Sequence, residues 1–84
     1  MKVTLKLFAS LLAYLPAECR RTSRVDLELA PGATLQELID RFRLPPGSCA
    51  LVLVNGAIVP PGARDGRVLA PDDVVAIWPP VGGG

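Results

Sequence analysis

Eighty-four residues, half of them hydrophobic, supply one core, leave no room for a second, and are too apolar for a disordered chain. Nine basic side chains against eight acidic ones leave a net charge of +1, so no global electrostatic pull toward nucleic acid or a membrane is expected. A chain this short buries roughly 60% of the surface its unfolded form exposes, which sets the expected stability on the order of 4–12 kcal/mol.

The first element is the segment Val3–Phe8. Val3, Leu5 and Leu7 alternate with Thr4 and Lys6, the pattern of a half-buried strand, and Phe8 falls on the face of Thr4 and Lys6. The same polar interruptions rule out a secretory signal or a membrane span there, and the expected location is the cytoplasm. Ser10 is placed to cap a short helix over 11–15, which Pro16 stops. The polar stretch from Glu18 to Arg24 reads as a loop. Its Arg20, Arg21 and Arg24 form a local basic cluster, read as a solvated loop with a docking patch as the alternative.

Val25–Leu29 alternates again and gives a second strand, ended by Pro31-Gly32. Thr34-Leu35-Gln36-Glu37 matches a capping box, with Thr34 at the cap and Glu37 reaching back. Leu35, Leu38, Ile39 and Phe42 then form one apolar stripe on a helix, while Gln36, Asp40 and Arg41 face water. Leu44-Pro45-Pro46-Gly47 breaks that helix. The unbroken apolar run Leu51–Val54 has the pattern of a central strand covered on both faces or nearly so. Asn55-Gly56 is a tight-turn signal, Ala57-Ile58-Val59 continues beyond it, and a short stretch Arg67–Ala70 sits among loops. Asp72-Asp73 turns the chain into the last strand, Val74–Trp78.

The predicted order is strand, short helix, strand, helix, then two or three strands. One main helix laid across one face of a mixed four- to five-stranded sheet accommodates it, with the runs at the two chain ends paired centrally. This is an α+β arrangement of the β-grasp, ubiquitin-like type, expected as a single domain over 1–84 with 79–84 projecting from it.

No enzyme constellation is visible. There is no histidine, no phosphate-binding glycine loop, and no serine in a nucleophile-elbow context. Without histidine, Cys19 and Cys49 cannot form a Cys/His zinc site, and no metal site is expected. They read as unpaired thiols of a reducing compartment. Asp72 and Asp73 point to opposite faces and read as turn residues; Asp26 and Glu28 read as solvated.

The C-terminus stands apart. Pro79 and Pro80 set an extended stem after the last strand, Val81 follows, and Gly82, Gly83 and Gly84 form a tip without side chains. A glycine run by itself would equally suit a frayed end or a linker. After an apolar strand and a Pro-Pro-Val stem, it reads as a working tail that ends in a free carboxylate.

With Val3–Ala9, Thr34–Leu38, Val54-Asn55-Gly56 and above all Asp72–Gly84, the chain resembles the sulfur carriers typified by the molybdopterin synthase small subunit and the thiamine-pathway carrier. The ending Pro79-Pro80-Val81-Gly82-Gly83-Gly84 looks like the molybdopterin type, with Gly82 where Ala, Ser or Thr is more familiar. The resemblance implies that a ubiquitin-activating-like enzyme adenylates the Gly84 carboxylate with ATP. A sulfur donor protein then supplies the sulfur of a thiocarboxylate. The tail threads into the large subunit of molybdopterin synthase and gives its sulfur to a pterin precursor. No cofactor is expected on this chain itself. Strand parity turns Val75 and Ile77 toward the helix and Val74, Ala76 and Trp78 outward with Phe8. The resemblance assigns partner docking to Phe8, Ile58 and Trp78, against the alternative that the two aromatics close a small second core. Other functions left open are sulfur transfer to thiamine or tRNA, a ubiquitin-like protein modifier, and a plain interaction module.

Overall fold

The computed structural model describes residues 1–81. Five strands form one mixed sheet: β1 (Lys2–Leu7), β2 (Arg24–Glu28), β3 (Leu51–Val54), β4 (Ala57–Ile58) and β5 (Val74–Trp78), in the spatial order β2-β1-β5-β3-β4. The first and last strands of the chain are the inner pair and run parallel, with Leu5 beside Val75 and Leu7 beside Ile77. The other three pairings are antiparallel.

Helix α1 (Leu35–Arg41) closes one face of this sheet. Its stripe behaves as the spacing predicts: Leu35, Leu38 and Ile39 are buried and Phe42 packs against the core edge. They meet Val3, Leu5, Leu7, Val52, Val54, Val75 and Ile77 in a single cluster. Thr34 Oγ1 accepts the Glu37 backbone N–H at 3.2 Å, satisfying one orphan donor of the first turn. The reciprocal half of the expected capping box is not formed. Among the described residues the Glu37 carboxylate makes no bond to the Thr34 N–H; that helix end is tied instead to the neighbouring loop, through Leu35 N–H to the Arg67 carbonyl and Gln36 N–H to the Arg64 carbonyl.

Three further expectations are corrected. Ser10 caps nothing: the short helix is a 3-10 segment over Ala9–Tyr14 that follows Phe8, with no side-chain cap. The chain enters it through Ala9 in the left-handed region, φ 54°, which turns the backbone sharply enough for Leu11 and Leu15 to plug the core beneath β1 and β5. Second, β3 is not central, because β5 takes the middle, and not covered on both faces, because α1 packs on one side only; Leu51 is exposed and Leu53 half-buried. Third, Asp73 is more than a turn residue. It is 7% exposed, and its carboxylate accepts from Ala70 N–H and from Asn55 Nδ2, both at 2.8 Å. The stretch Arg67–Ala70 contributes a single bridge, Val68 to Thr34, rather than a strand. Asn55 (φ 50°) and Gly56 (φ 85°) both adopt the left-handed backbone of the tight hairpin turn between β3 and β4.

Among the described residues no helix is long and apolar enough to cross a membrane.

Candidate docking face and C-terminal stem

Among the described residues no helix covers the face opposite α1, and the register determines what it presents. Lys6 of β1 pairs with Ala76 of β5, Ala76 with Leu53 of β3, and Leu53 with Ile58 of β4. Cross-strand partners share a face, so Lys6, Ala76, Leu53 and Ile58 form one row across four strands. On β2, Arg24 extends it beside Lys6. Trp78 and Leu51 form the next row toward the end of β5.

Phe8 lies one residue past the Leu7–Ile77 pair, which brings it beside Trp78. Their rings stack with centroids 4.3 Å apart and planes 7° from parallel. Such a pair contributes about 0.5–1.5 kcal/mol beyond its buried area. Both side chains remain half-buried, whereas Ile58 is 68% exposed. The three residues singled out from the sequence are thus on one face: Phe8 and Trp78 in contact, Ile58 on β4 at the sheet edge. Leu51 and Leu53 complete the apolar surface between them, and sequence reasoning missed both. A continuous apolar run hides which of its members are covered; only the pairing with β5 reveals it.

The approach to β5 is pinned by a polar clamp. The Asn55 side chain donates to Asp73 and accepts the Val74 N–H, each at 2.8 Å, while Asn55 N–H donates to the Val74 carbonyl at 2.8 Å. Thr4 N–H donates to the Asp73 carbonyl at 2.9 Å. The hairpin turn, β1 and the start of β5 are locked together, which orients the strand that leads to the terminus. No local signal marks this clamp, since Asn55 and Asp73 lie far apart in the chain.

Beyond Trp78, Pro79 is half-buried, Pro80 is exposed and Val81 is 91% exposed. The stem therefore leaves the body directly beside the aromatic pair. Gly82, Gly83 and Gly84, to which the sequence assigns the chemistry, lie outside the described residues.

Two other titratable groups, Asp26 and Cys49, are perturbed by their surroundings. Thr4 Oγ1 donates to Asp26 at 2.7 Å, and together with the Arg24 guanidinium at 3.2 Å this holds the Asp26 carboxyl below its ordinary range. Burial pushes the Cys49 thiol up, opposed by the charge of Arg64, so Cys49 is poorly suited to act as a nucleophile. Cys19 and Cys49 are both free thiols. From the arginine cluster, Arg20 donates to the carbonyls of Leu15 and Ala13, each at 3.1 Å, and clamps the end of the 3-10 segment.

A family model described as the ThiS family matches residues 13–84. No curated protein matches the chain. Among solved structures, the chain is similar to a Pyrococcus furiosus protein described as molybdopterin converting factor, subunit 1, with 26% identity, 96% of this chain and 99% of that one covered, and a TM-score of 0.68. It shares the fold of SAMP1 from Haloferax volcanii, at 24% identity over 100% of each chain and a TM-score of 0.67. The same holds for a chain in the complex of subunits 1 and 2 of the molybdopterin-converting factor from Helicobacter pylori, at 20% identity over 100% of each chain and a TM-score of 0.62. The mixed sheet with one main helix is that of the ubiquitin-like β-grasp.

Proposed function

Because the chain belongs to the ThiS family of ubiquitin-like sulfur carriers, we propose that it carries sulfur as a thiocarboxylate on Gly84 and serves as the small subunit of molybdopterin synthase. The observation that supports this most is the placement of the stacked Phe8–Trp78 pair on the open face, immediately before the Pro79-Pro80-Val81 stem. A partner that receives the tail has an aromatic platform to rest on at the point where the tail departs. The likeness to the Pyrococcus furiosus subunit 1 favours the molybdopterin pathway, and the Helicobacter pylori complex illustrates a subunit 1 assembled with a subunit 2.

The chemistry follows from the electrophilicity of the group. A carboxylate resists attack by sulfur, so a leaving group must be installed first. A Gly84 carboxylate oxygen attacks the α-phosphorus of ATP on the activating enzyme and expels pyrophosphate. A sulfide sulfur from the donor protein then adds to the acyl carbon, AMP departs, and the thiocarboxylate remains. Glycine at the last positions lets this end pass through a channel too narrow for a Cβ. The large subunit accepts the tail and transfers the sulfur to a pterin precursor.

Intact mass spectrometry on the protein purified from its own host tests the proposal. The expected result is a fraction whose mass reflects one C-terminal oxygen replaced by sulfur, consumed when large subunit and pterin precursor are added. Deleting Gly84, or adding one residue after it, should abolish transfer without changing the thermal melt. An extended variant that supports cofactor synthesis untrimmed would overturn the role of Gly84. A thiocarboxylate that the pterin precursor does not consume would move the acceptor to thiamine or tRNA, and isopeptide-linked conjugates would indicate a protein modifier.

A further inference from the structure

At the far edge of the open face, a notch of about 330 Å³ lies between β4 and the loop 60–67, lined by Ile58, Val59, Pro60, Ala63, Gly66 and Arg67. Arg67 is its one charged group. The two arginines of this loop are treated differently. Arg64 is buried and satisfied, donating to the carbonyls of Val59 at 3.4 Å and Cys49 at 3.0 Å. Arg67 is half-buried, and its Nε–H is buried with no hydrogen-bond partner among the described residues. The ion pairs among those residues are Met1–Glu28 and Arg24–Asp26, so no carboxylate among the described residues pairs with Arg67.

A buried donor on a charged group that lacks a partner is costly, and the parallel N–H groups of a guanidinium match the two oxygens of a carboxylate. Turning the Arg67 stem so that Nε and one Nη face the notch breaks no side-chain hydrogen bond found among the described residues. The notch is at the small end of the range for ligand sites, about 300–1,000 Å³, and its apolar lining suits the methylenes of an acidic side chain. We infer that it receives a carboxylate side chain from the protein that docks on the open sheet face, with Arg67 as the counter-charge.

Continuity points to a docked protein rather than a free anion. Ile58 lines the notch and also ends the row Lys6–Ala76–Leu53–Ile58, so a partner lying on that face reaches the notch along its own surface. This rests on the docking role proposed for the face. The contact gives the partner a second, charged anchor at the β4 edge, two strands away from the β5 end where the tail departs. Two anchors fix orientation, and charge at a rim acts chiefly on the association rate.

Two measurements test it, the first without any partner. In the domain with 15N-labelled arginine, propionate is the probe, propionamide the neutral isostere and inorganic phosphate the competing anion. The expected result is a saturable shift and slowed solvent exchange of the Arg67 Nε–H with propionate. Propionamide should leave the signal unmoved. An equal response to propionamide, no response to propionate, or tighter saturation by phosphate overturns the inference. The second is a titration of the large synthase subunit. Arg67→Gln should weaken binding about tenfold, mainly through a slower on-rate, and should flatten the salt dependence. If Trp78→Ala weakens binding while Arg67→Gln does not, the face docks and the notch inference is wrong. If neither variant changes binding, the docking reading itself fails, and the notch inference falls with it.

Discussion

The two faces of the sheet both carry apolar side chains and are left in different states. Under α1, Val3, Leu5, Leu7, Val52, Val75 and Ile77 are 0% exposed and belong to one core cluster with Leu35 and Leu38 of the helix and with Leu11 and Leu15. On the other side Phe8, Leu53, Ala76 and Trp78 are half-buried, and Leu51 and Ile58 are exposed. The covered face accounts for the stability of the domain. The open one keeps apolar surface that folding does not use, as a surface kept for a partner does. Substitutions on the two faces should therefore separate: one set should unfold the domain, the other should spare the fold and weaken binding.

The largest effect is expected under the helix. Leu38→Ala should destabilise by about 2–5 kcal/mol in a urea titration, since the side chain is 0% exposed and at the centre of the helix stripe. A surface-like loss of a few tenths would mean that α1 does not close this face. On the open side, Trp78→Ala should cost about 2 kcal/mol of partner affinity, a roughly thirtyfold loss. The isolated domain should lose much less stability than the 3–5 kcal/mol (about the usual range) of a truncated core tryptophan. A collapsed melt with no specific loss of binding would make the Phe8–Trp78 stack part of the core and erase the distinction between the faces.

Smaller effects sharpen the contrast. Thr34→Ala should cost about 1 kcal/mol through the lost helix cap, with partner binding unchanged. Glu37→Ala should leave the cap intact, because only the backbone N–H of Glu37 bonds to Thr34. The smallest effect sits on the open face, at Asp26. Its carboxyl is held below the ordinary value of 3.8 by the Thr4 hydroxyl first and by Arg24 second. A carboxylate whose pKa is lower folded than unfolded adds stability above the unfolded value, and that stability is lost as the pH falls below it. An acid titration of the melt should therefore show Asp26→Asn slightly less stable than the parent at neutral pH. The two should converge below the ordinary carboxylate range. Parallel acid titrations with a constant offset would show that Asp26 acts through something other than its charge.

Much of this was legible in the chain alone. Alternation in Val3–Leu7 and Val74–Trp78, with Phe8 one step beyond the first run, determines which side chains leave the core, because successive strand residues point to opposite faces whatever the neighbours are. The Thr34 cap and the stripe Leu35, Leu38 and Ile39 likewise rest on helix geometry within a few residues. The stem Pro79-Pro80-Val81 and the glycine tip are legible as composition. Which strand is central, by contrast, is a property of pairings between distant segments. Leu51–Val54 reads as a central, covered strand, but β5 takes the middle beside β1, and α1 covers one face of the sheet only. The left-handed turn at Ala9 carries no local signal either, since alanine has no preference for that backbone; the docking of Leu11 and Leu15 into the core imposes it. Asp73 and Arg67 show the same limit for polar groups. A carboxylate at a turn becomes a buried clamp when Asn55 arrives beside it from the β3–β4 turn, and an ordinary loop arginine is left with a buried, unpartnered Nε–H only in the folded domain. Local sequence determines which face a side chain takes; tertiary packing decides what, if anything, lies against that face.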